Sequence, residues 1–196
     1  LHTPAVAQVP SPQQLAEYVR YIDTLRQKHH IPGLSYAIVA NGQIVHSGGL
    51  GVADITTNRP VTADTPFEIA SLTKTMAATV VLQLHEEGLL HLDSTLHSCY
   101  PDYNEFCTSA ASSRNGYLRN YFGAPQDSNT LRNHLSHTAL GRKPGTWFLY
   151  NGLLFGLARK IIEHTTEFSY FSNLTQRIFW QANMSRTLVC ADDTTT

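Results

Sequence analysis

Apolar positions recur at helical spacing near the start of the chain, where Leu15, Val19, Ile22 and Leu25 follow one another at intervals of three and four. Ser11-Pro12-Gln13-Gln14 stands just ahead of them, a capping box with proline at the first helical position, and predicts a helix running to about His29. Ile31-Pro32-Gly33 ends it. Leu34 to Ala40 is a mostly apolar run, Asn41-Gly42 is the strongest short hairpin signal, and Gln43 to Ser47 returns, so an antiparallel hairpin follows the helix. Asn58-Arg59-Pro60 through Pro66 reads as turns that deliver the chain to Ser71. From there Met76, Val80, Val81, Leu84 and Glu87 mark a second helix, closed by Gly88.

Beyond Gly88 the pattern loosens. Leu89 to Tyr103 is loop-rich with short turns, and Thr108 to Thr130, rich in Ser, Asn and Gly with interspersed aromatics, reads as a substrate-side excursion or a mobile loop. Leu131 to His137 is a short helical pattern, Lys143-Pro144-Gly145 a turn, Leu153 to His164 an amphipathic helix, and Tyr170 to Trp180 a last helix before the tail Asp192 to Thr196. The expected fold class is α/β (α+β): an antiparallel sheet flanked by helices, with a mainly helical insert. The expected division is 1–60 for the first helix and hairpin and 61–196 for the mainly helical part.

Composition narrows the function classes. With 196 residues, 42% hydrophobic and 15% charged, the chain is long enough to bury a core. Lys and Arg number 14 against 15 Asp and Glu, a net charge of -1, which leaves no electrostatic footprint for nucleic acid or an anionic membrane and points to small, uncharged partners. No apolar run approaches the roughly 18 to 20 residues of a membrane span. Ala5-Val6-Ala7 has the small-x-small form of a signal-peptidase site, which suggests a secreted or periplasmic location. Cys99, Cys107 and Cys190 lack the C-x-x-C spacing of a zinc or redox site; they allow a Cys99–Cys107 bridge or free thiols. Asn173-Leu174-Thr175 and Asn183-Met184-Ser185 are glycosylation triplets in a secreting eukaryote. His134 and His137 share a helix face but find no carboxylate or third ligand at a metal-binding spacing, so they read as ordinary helix or surface histidines. Glu86-Glu87 reads as a solvated helix face. Neither a metal nor an organic cofactor is expected.

The candidate chemistry sits at Ser71-Leu72-Thr73-Lys74. A serine hydroxyl is a poor nucleophile at neutral pH and needs a base in hydrogen-bond reach. If Ser71 opens the helix, Lys74 lies one turn on, on the same face, and the helix N-terminus favours a developing oxyanion. A basic Lys74 requires burial beside apolar side chains, and Phe67, Ile69 and Ala70 are the apolar flanks available. The plainer alternative is an N-cap serine and a solvated lysine, since S-x-x-K arises by chance about once in a chain this long. Tyr150, set by the Pro144-Gly145 turn just before a helix, is a candidate proton shuttle between the serine and a leaving group; alone, it reads as a core tyrosine with a satisfied hydroxyl, and only its combination with Ser71 and Lys74 favours the shuttle.

Four segments, in order, carry a resemblance: Ile31-Pro32-Gly33-Leu34-Ser35; Thr65 through Lys74; Leu131-Arg132-Asn133-His134-Leu135-Ser136-His137-Thr138; and Pro144 through Asn151. In these the chain resembles the serine β-lactamase and penicillin-binding-protein superfamily, more closely its class C and esterase-like branch. The S-x-x-K is a general signature of that superfamily. The resemblance implies an acyl-enzyme on Ser71, with Lys74 as base and Tyr150 as the first residue of a Y-x-N motif.

Three departures bear on function. The second motif reads Tyr150-Asn151-Gly152, so the substrate-contacting asparagine is displaced to Asn151 or lost, which weakens recognition of an acylamide side chain. The connection from Thr138 to Pro144 is shorter than the family's. Nothing after Tyr150 resembles the K-T-G or H-x-G of the third motif, whose strand supplies an oxyanion donor; losing one such donor costs about 100 to 1,000-fold in rate. The expectation is a longer working protein, or a second chain or C-terminal segment that completes the fold. The expected activity is serine hydrolysis of carboxylic esters or related acyl substrates. Hydrolysis of β-lactams or D-Ala peptides is the alternative, and an inactive binding or scaffolding member a third.

Overall fold

The computed structural model describes residues 9–112, 128–139 and 143–188. Ala5-Val6-Ala7, Cys190, the tail from Asp192 and most of the Thr108 to Thr130 excursion lie outside these residues. The chain divides into two compact units between Phe67 and Glu68.

The first unit begins with α1 (Pro12–Lys28). Ser11 accepts from the Gln14 backbone while the Gln14 side chain accepts from the Ser11 N–H, so the capping box forms reciprocally with Pro12 in the first turn. Leu15, Val19, Ile22 and Leu25 are half-buried along one stripe, and no residue of the helix is fully buried. Arg26 ties the end of α1 to the following turn by donating to the carbonyls of Ile31 and Pro32 and to Asp23.

The strand β1 (Gly33–Ala40) turns at Asn41-Gly42, where both residues have positive φ (52° and 73°), and pairs antiparallel with β2 (Gln43–Asp54). Two consecutive positive φ values are what a tight two-residue hairpin with native twist requires. β2 runs to Asp54 rather than stopping near Ser47, because every position from Gly48 to Gly51 has a partner between Tyr36 and Gly33. The pairing shifts register between Ile38 and Val39, and a short strand β3 (Arg59–Pro60), expected as turn, adds to β2 at Val52 and Asp54. Gly49 is required by close approach: a Cβ there collides with the backbone of Val61.

The second unit is helical, as its looser sequence pattern predicts. A 3-10 turn at Ala70–Leu72 leads into α2 (Thr73–Glu86), followed by α3 (Leu96–Cys99), α4 (Tyr103–Ser112), α5 (Leu131–Leu135), α6 (Gly152–Phe155), α7 (Leu157–Thr166) and α8 (Tyr170–Leu174), which continues as a π-helical turn at Thr175–Phe179. α3 forms where a loop-rich stretch with short turns was expected, and α4 runs on into the start of the stretch expected as an excursion or loop. Thr95 caps α3 by accepting from the Ser98 N–H.

The core joins Ala77, Val80, Val81 and Leu84 of α2 to Leu157, Ala158, Ile161 and Ile162 of α7, with Leu96, Leu131 and Leu174 closing it. α2 ends in a Schellman motif at Gly88 (φ 76°), whose N–H reaches His85 while that of Leu89 reaches Leu84. Glu87 is not simply solvated: it takes a two-pronged ion pair from Arg177 at 2.6 and 3.1 Å, which holds its carboxyl below the usual range. α5 is tied to the segment before α3 by Arg132 on Asp93 and by the Leu131 N–H on the Ser94 carbonyl.

Cys99 and Cys107 are buried free thiols, and burial pushes both upward in pKa. The Asn173 triplet is closed to glycosylation, since Asn173 is buried with its amide donating to Thr166, Phe168 and Ser169. No helix among the described residues is long and apolar enough to cross a membrane.

Leu84 is fully buried and Leu82, two residues away, is 44% exposed. Leu84→Ala is expected to cost about 2–5 kcal/mol in urea unfolding, against less than about 1 kcal/mol for Leu82→Ala.

Candidate active site

Ser71 lies at the centre of the 3-10 turn and α2 begins two residues later, so the serine precedes the α-helix instead of opening it. The turn's bonds run from the Leu72 N–H to the Ile69 carbonyl and from the Thr73 N–H to Ala70 and Ser71, leaving the Ser71 N–H outside that ladder. Lys74, in the first turn of α2, stands three residues on from Ser71, the spacing that puts two side chains on one helical face. Lys74 Nζ donates to Ser71 Oγ at 3.0 Å. The residue before the serine, Ala70, has φ 43°, a left-handed conformation that L-residues adopt at a cost of about 1–2 kcal/mol. Nothing in an alanine announces such a conformation, so sequence reasoning missed it.

The apolar flanks expected to bury Lys74 do not. Phe67 and Ile69 are largely exposed. Lys74 is half-buried instead under aromatic rings, its Nζ lying 5.4 Å from the centroid of Tyr150 and 5.9 Å from that of Phe155.

Tyr150 arrives on an irregular segment that starts at Gly145, whose φ of 82° makes the turn. Its ring is half open to solvent. Ser71 first and Lys74 second, both in polar reach of the phenol, hold its pKa below the usual phenolic value. The structure thus brings Ser71, Lys74 and Tyr150 together. Asn151 turns inward and is buried, its backbone N–H donating to His137 Nδ1 at 3.3 Å. The second position after Tyr150 is Gly152, where an added Cβ would stand 3.8 Å from Lys74 Nζ. No side chain projects from that position.

Two histidines behind the tyrosine complete the site's rear wall. His134, Phe155, His137 and Tyr150 stack in succession with centroids 5.3, 5.2 and 4.7 Å apart. His134 is buried, neither ring nitrogen meets a partner among the described residues, and burial followed by the nearness of His137 pushes its pKa down to about 3. His137 is lowered too, by partial burial and then by the Lys74 charge. No group of three or more metal-ligating side chains occurs among the described residues. The contact of His137 with Tyr150 is not legible from its spacing; it exists only in three dimensions.

With this geometry in place, comparison with known proteins is decisive. The Beta-lactamase family model matches residues 19–192. The chain belongs to the Beta-lactamase family. It is 29% identical over 176 residues to Protein flp of Staphylococcus aureus, covering 82% of this chain and 35% of that protein. Among solved structures it superposes on the octameric penicillin-binding protein homologue from Pyrococcus abyssi with a TM-score of 0.72 at 20% identity, covering 87% of this chain and 43% of that one. It superposes on the D-alanine carboxypeptidase AmpC from Burkholderia cenocepacia with a TM-score of 0.71 at 25% identity, covering 90% and 50%. The chain therefore spans about a third of that curated relative and half or less of these solved neighbours.

Because Ser71 and Lys74 together depress Tyr150, Lys74→Met and Ser71→Ala are each expected to raise its pKa toward that of a free phenol, read by NMR of 13Cζ-labelled tyrosine. Lys74→Met also raises the pKa of His137.

Proposed function

We propose that this chain carries the nucleophile of a serine acyl-transfer hydrolase, with Ser71 attacking, Lys74 as base and Tyr150 as proton shuttle. The observation that carries the proposal is the 3.0 Å contact of Lys74 Nζ with Ser71 Oγ beside a phenol that both groups depress. Lys74 in its amine form takes the serine proton as Oγ bonds to the acyl carbonyl carbon. Tyr150, facing both groups, relays that proton to the departing alcohol or amine as the carbonyl–leaving-group bond breaks. Water then adds to the Ser71 ester, gives its proton back through the same groups, and releases the acid. The Ser71 N–H, outside the 3-10 ladder, is the backbone donor we assign to the oxyanion.

Carboxylic esters are the substrate class we favour. The position beside Lys74 carries Gly152 and the neighbouring asparagine is buried, so an acylamide side chain has little there to recognise it. β-Lactams or D-Ala peptides are the second reading, favoured by the likeness to a D-alanine carboxypeptidase.

A fluorophosphonate probe on the full-length protein is expected to leave one adduct on Ser71 by mass spectrometry. Ser71→Ala abolishes it and Lys74→Ala slows it by about 100 to 10,000-fold. A native fold with no adduct would make the protein a binding member instead. Faster turnover of nitrocefin than of p-nitrophenyl butyrate would reverse the substrate order.

A further inference from the structure

We propose that His137 is the positioning residue that holds Tyr150 against Ser71 and Lys74, and that it does so only as the neutral imidazole carrying its proton on Nε2. This deepens the functional reading above and rests on it for the consequence in catalysis, though the clamp itself is a structural claim.

Three contacts from one residue converge on the tyrosine. The His137 carbonyl accepts from the Leu149 N–H at 2.8 Å, its ring Nδ1 accepts from the Asn151 N–H at 3.3 Å, and its ring lies against the Tyr150 ring at 4.7 Å and 33°. Tyr150 is thus bracketed on both sides in sequence and backed on one face. Residues 147–150 belong to neither helix nor strand, and outside such elements a backbone is held only by contacts of this kind.

A backbone N–H can only donate, so the Asn151 bond requires a bare lone pair on Nδ1 and fixes the tautomer. Protonating Nδ1 turns acceptor into donor facing donor, and the clamp loses one of its jaws.

The backbone at His137 is an independent sign. α5 ends in a Schellman motif, with the His137 N–H bonded to His134 and the Thr138 N–H to Asn133. The position after the cap, where glycine is usual because φ is positive, is His137 itself at φ 56°. A histidine is strained there, and what the strain provides is the imidazole behind Tyr150.

The groups facing His137 are Lys74 from α2, His134 from α5 and Tyr150 from its own wall. Lys74 opposes a second positive charge on His137, and burial, followed by the nearness of His137, pushes His134 down to about 3. Since burial and Lys74 hold the His137 pKa below the usual imidazole value, the clamp is whole at neutral pH and opens as pH falls through that lowered value.

The test uses the full-length protein with three readouts. In 1H–15N spectra the Asn151 amide is expected to titrate together with the His137 ring, and in H137N, whose Oδ1 occupies the place of Nδ1 and does not titrate, that amide shift becomes independent of acid pH. The glycine variant H137G removes the strain together with the ring and is expected to remain folded. It should nevertheless label Ser71 with the fluorophosphonate at least 10-fold more slowly. H137N should recover most of that lost rate and lose the acid limb of the labelling profile. An Asn151 amide indifferent to His137 titration, or a folded H137G that labels as fast as wild type, overturns the proposal. Wild type that never labels, with the Asn151 amide still following His137, leaves the clamp standing and refutes the hydrolase reading.

Discussion

One hydrogen bond sets the terms for the rest of this site: Lys74 Nζ on Ser71 Oγ at 3.0 Å. It joins two residues of a single turn, so its length depends on local backbone geometry and on α2 being fixed in place. The fixing comes from the opposite face of the helix, where Ala77, Val80, Val81 and Leu84 pack on α7. The 3-10 turn then sets Ser71 one turn ahead of Lys74, and the left-handed Ala70 redirects the chain just before Ser71. Apolar burial on one side of α2 thus becomes precision on the other.

The second wall is built differently. Residues 147–150 have no helical ladder or strand partner, and the segment is positioned by side-chain and backbone bonds to the end of α5. Placing a solvent-open phenol on an irregular segment makes its position sensitive to whatever stands behind it. Here that is a stack of rings ending in a buried, uncharged His134. Two rings of that stack, Tyr150 and Phe155, also lie over Lys74 Nζ and supply its apolar cover.

The coarse reading of the chain as a β-lactamase-like serine hydrolase agrees with its membership of the Beta-lactamase family. Its departure at Tyr150-Asn151-Gly152 has a structural counterpart: Asn151 points inward and Gly152 faces the lysine. The proposed ranking of esters first rests on this arrangement, in which no side chain projects from position 152 and Asn151 is buried.

Local signals were legible in the sequence. The Ser11 capping box, the Asn41-Gly42 turn, the α2 stripe and the Gly88 stop are decided by bonds between residues a few positions apart, and each appears where its residues place it. The proximity of Ser71 and Lys74 followed from helical spacing alone. The extension of β2 to Asp54, the added β3, the αL conformations of Ala70 and His137, and the rings that cover Lys74 were not legible, because they depend on strand register and packing between distant segments. Sequence by itself determined which groups could react, since chemistry is carried by side-chain identity and short spacing. Tertiary structure alone decided how Tyr150 is held, since no local rule places a histidine thirteen residues upstream against a tyrosine on a segment with no regular structure of its own.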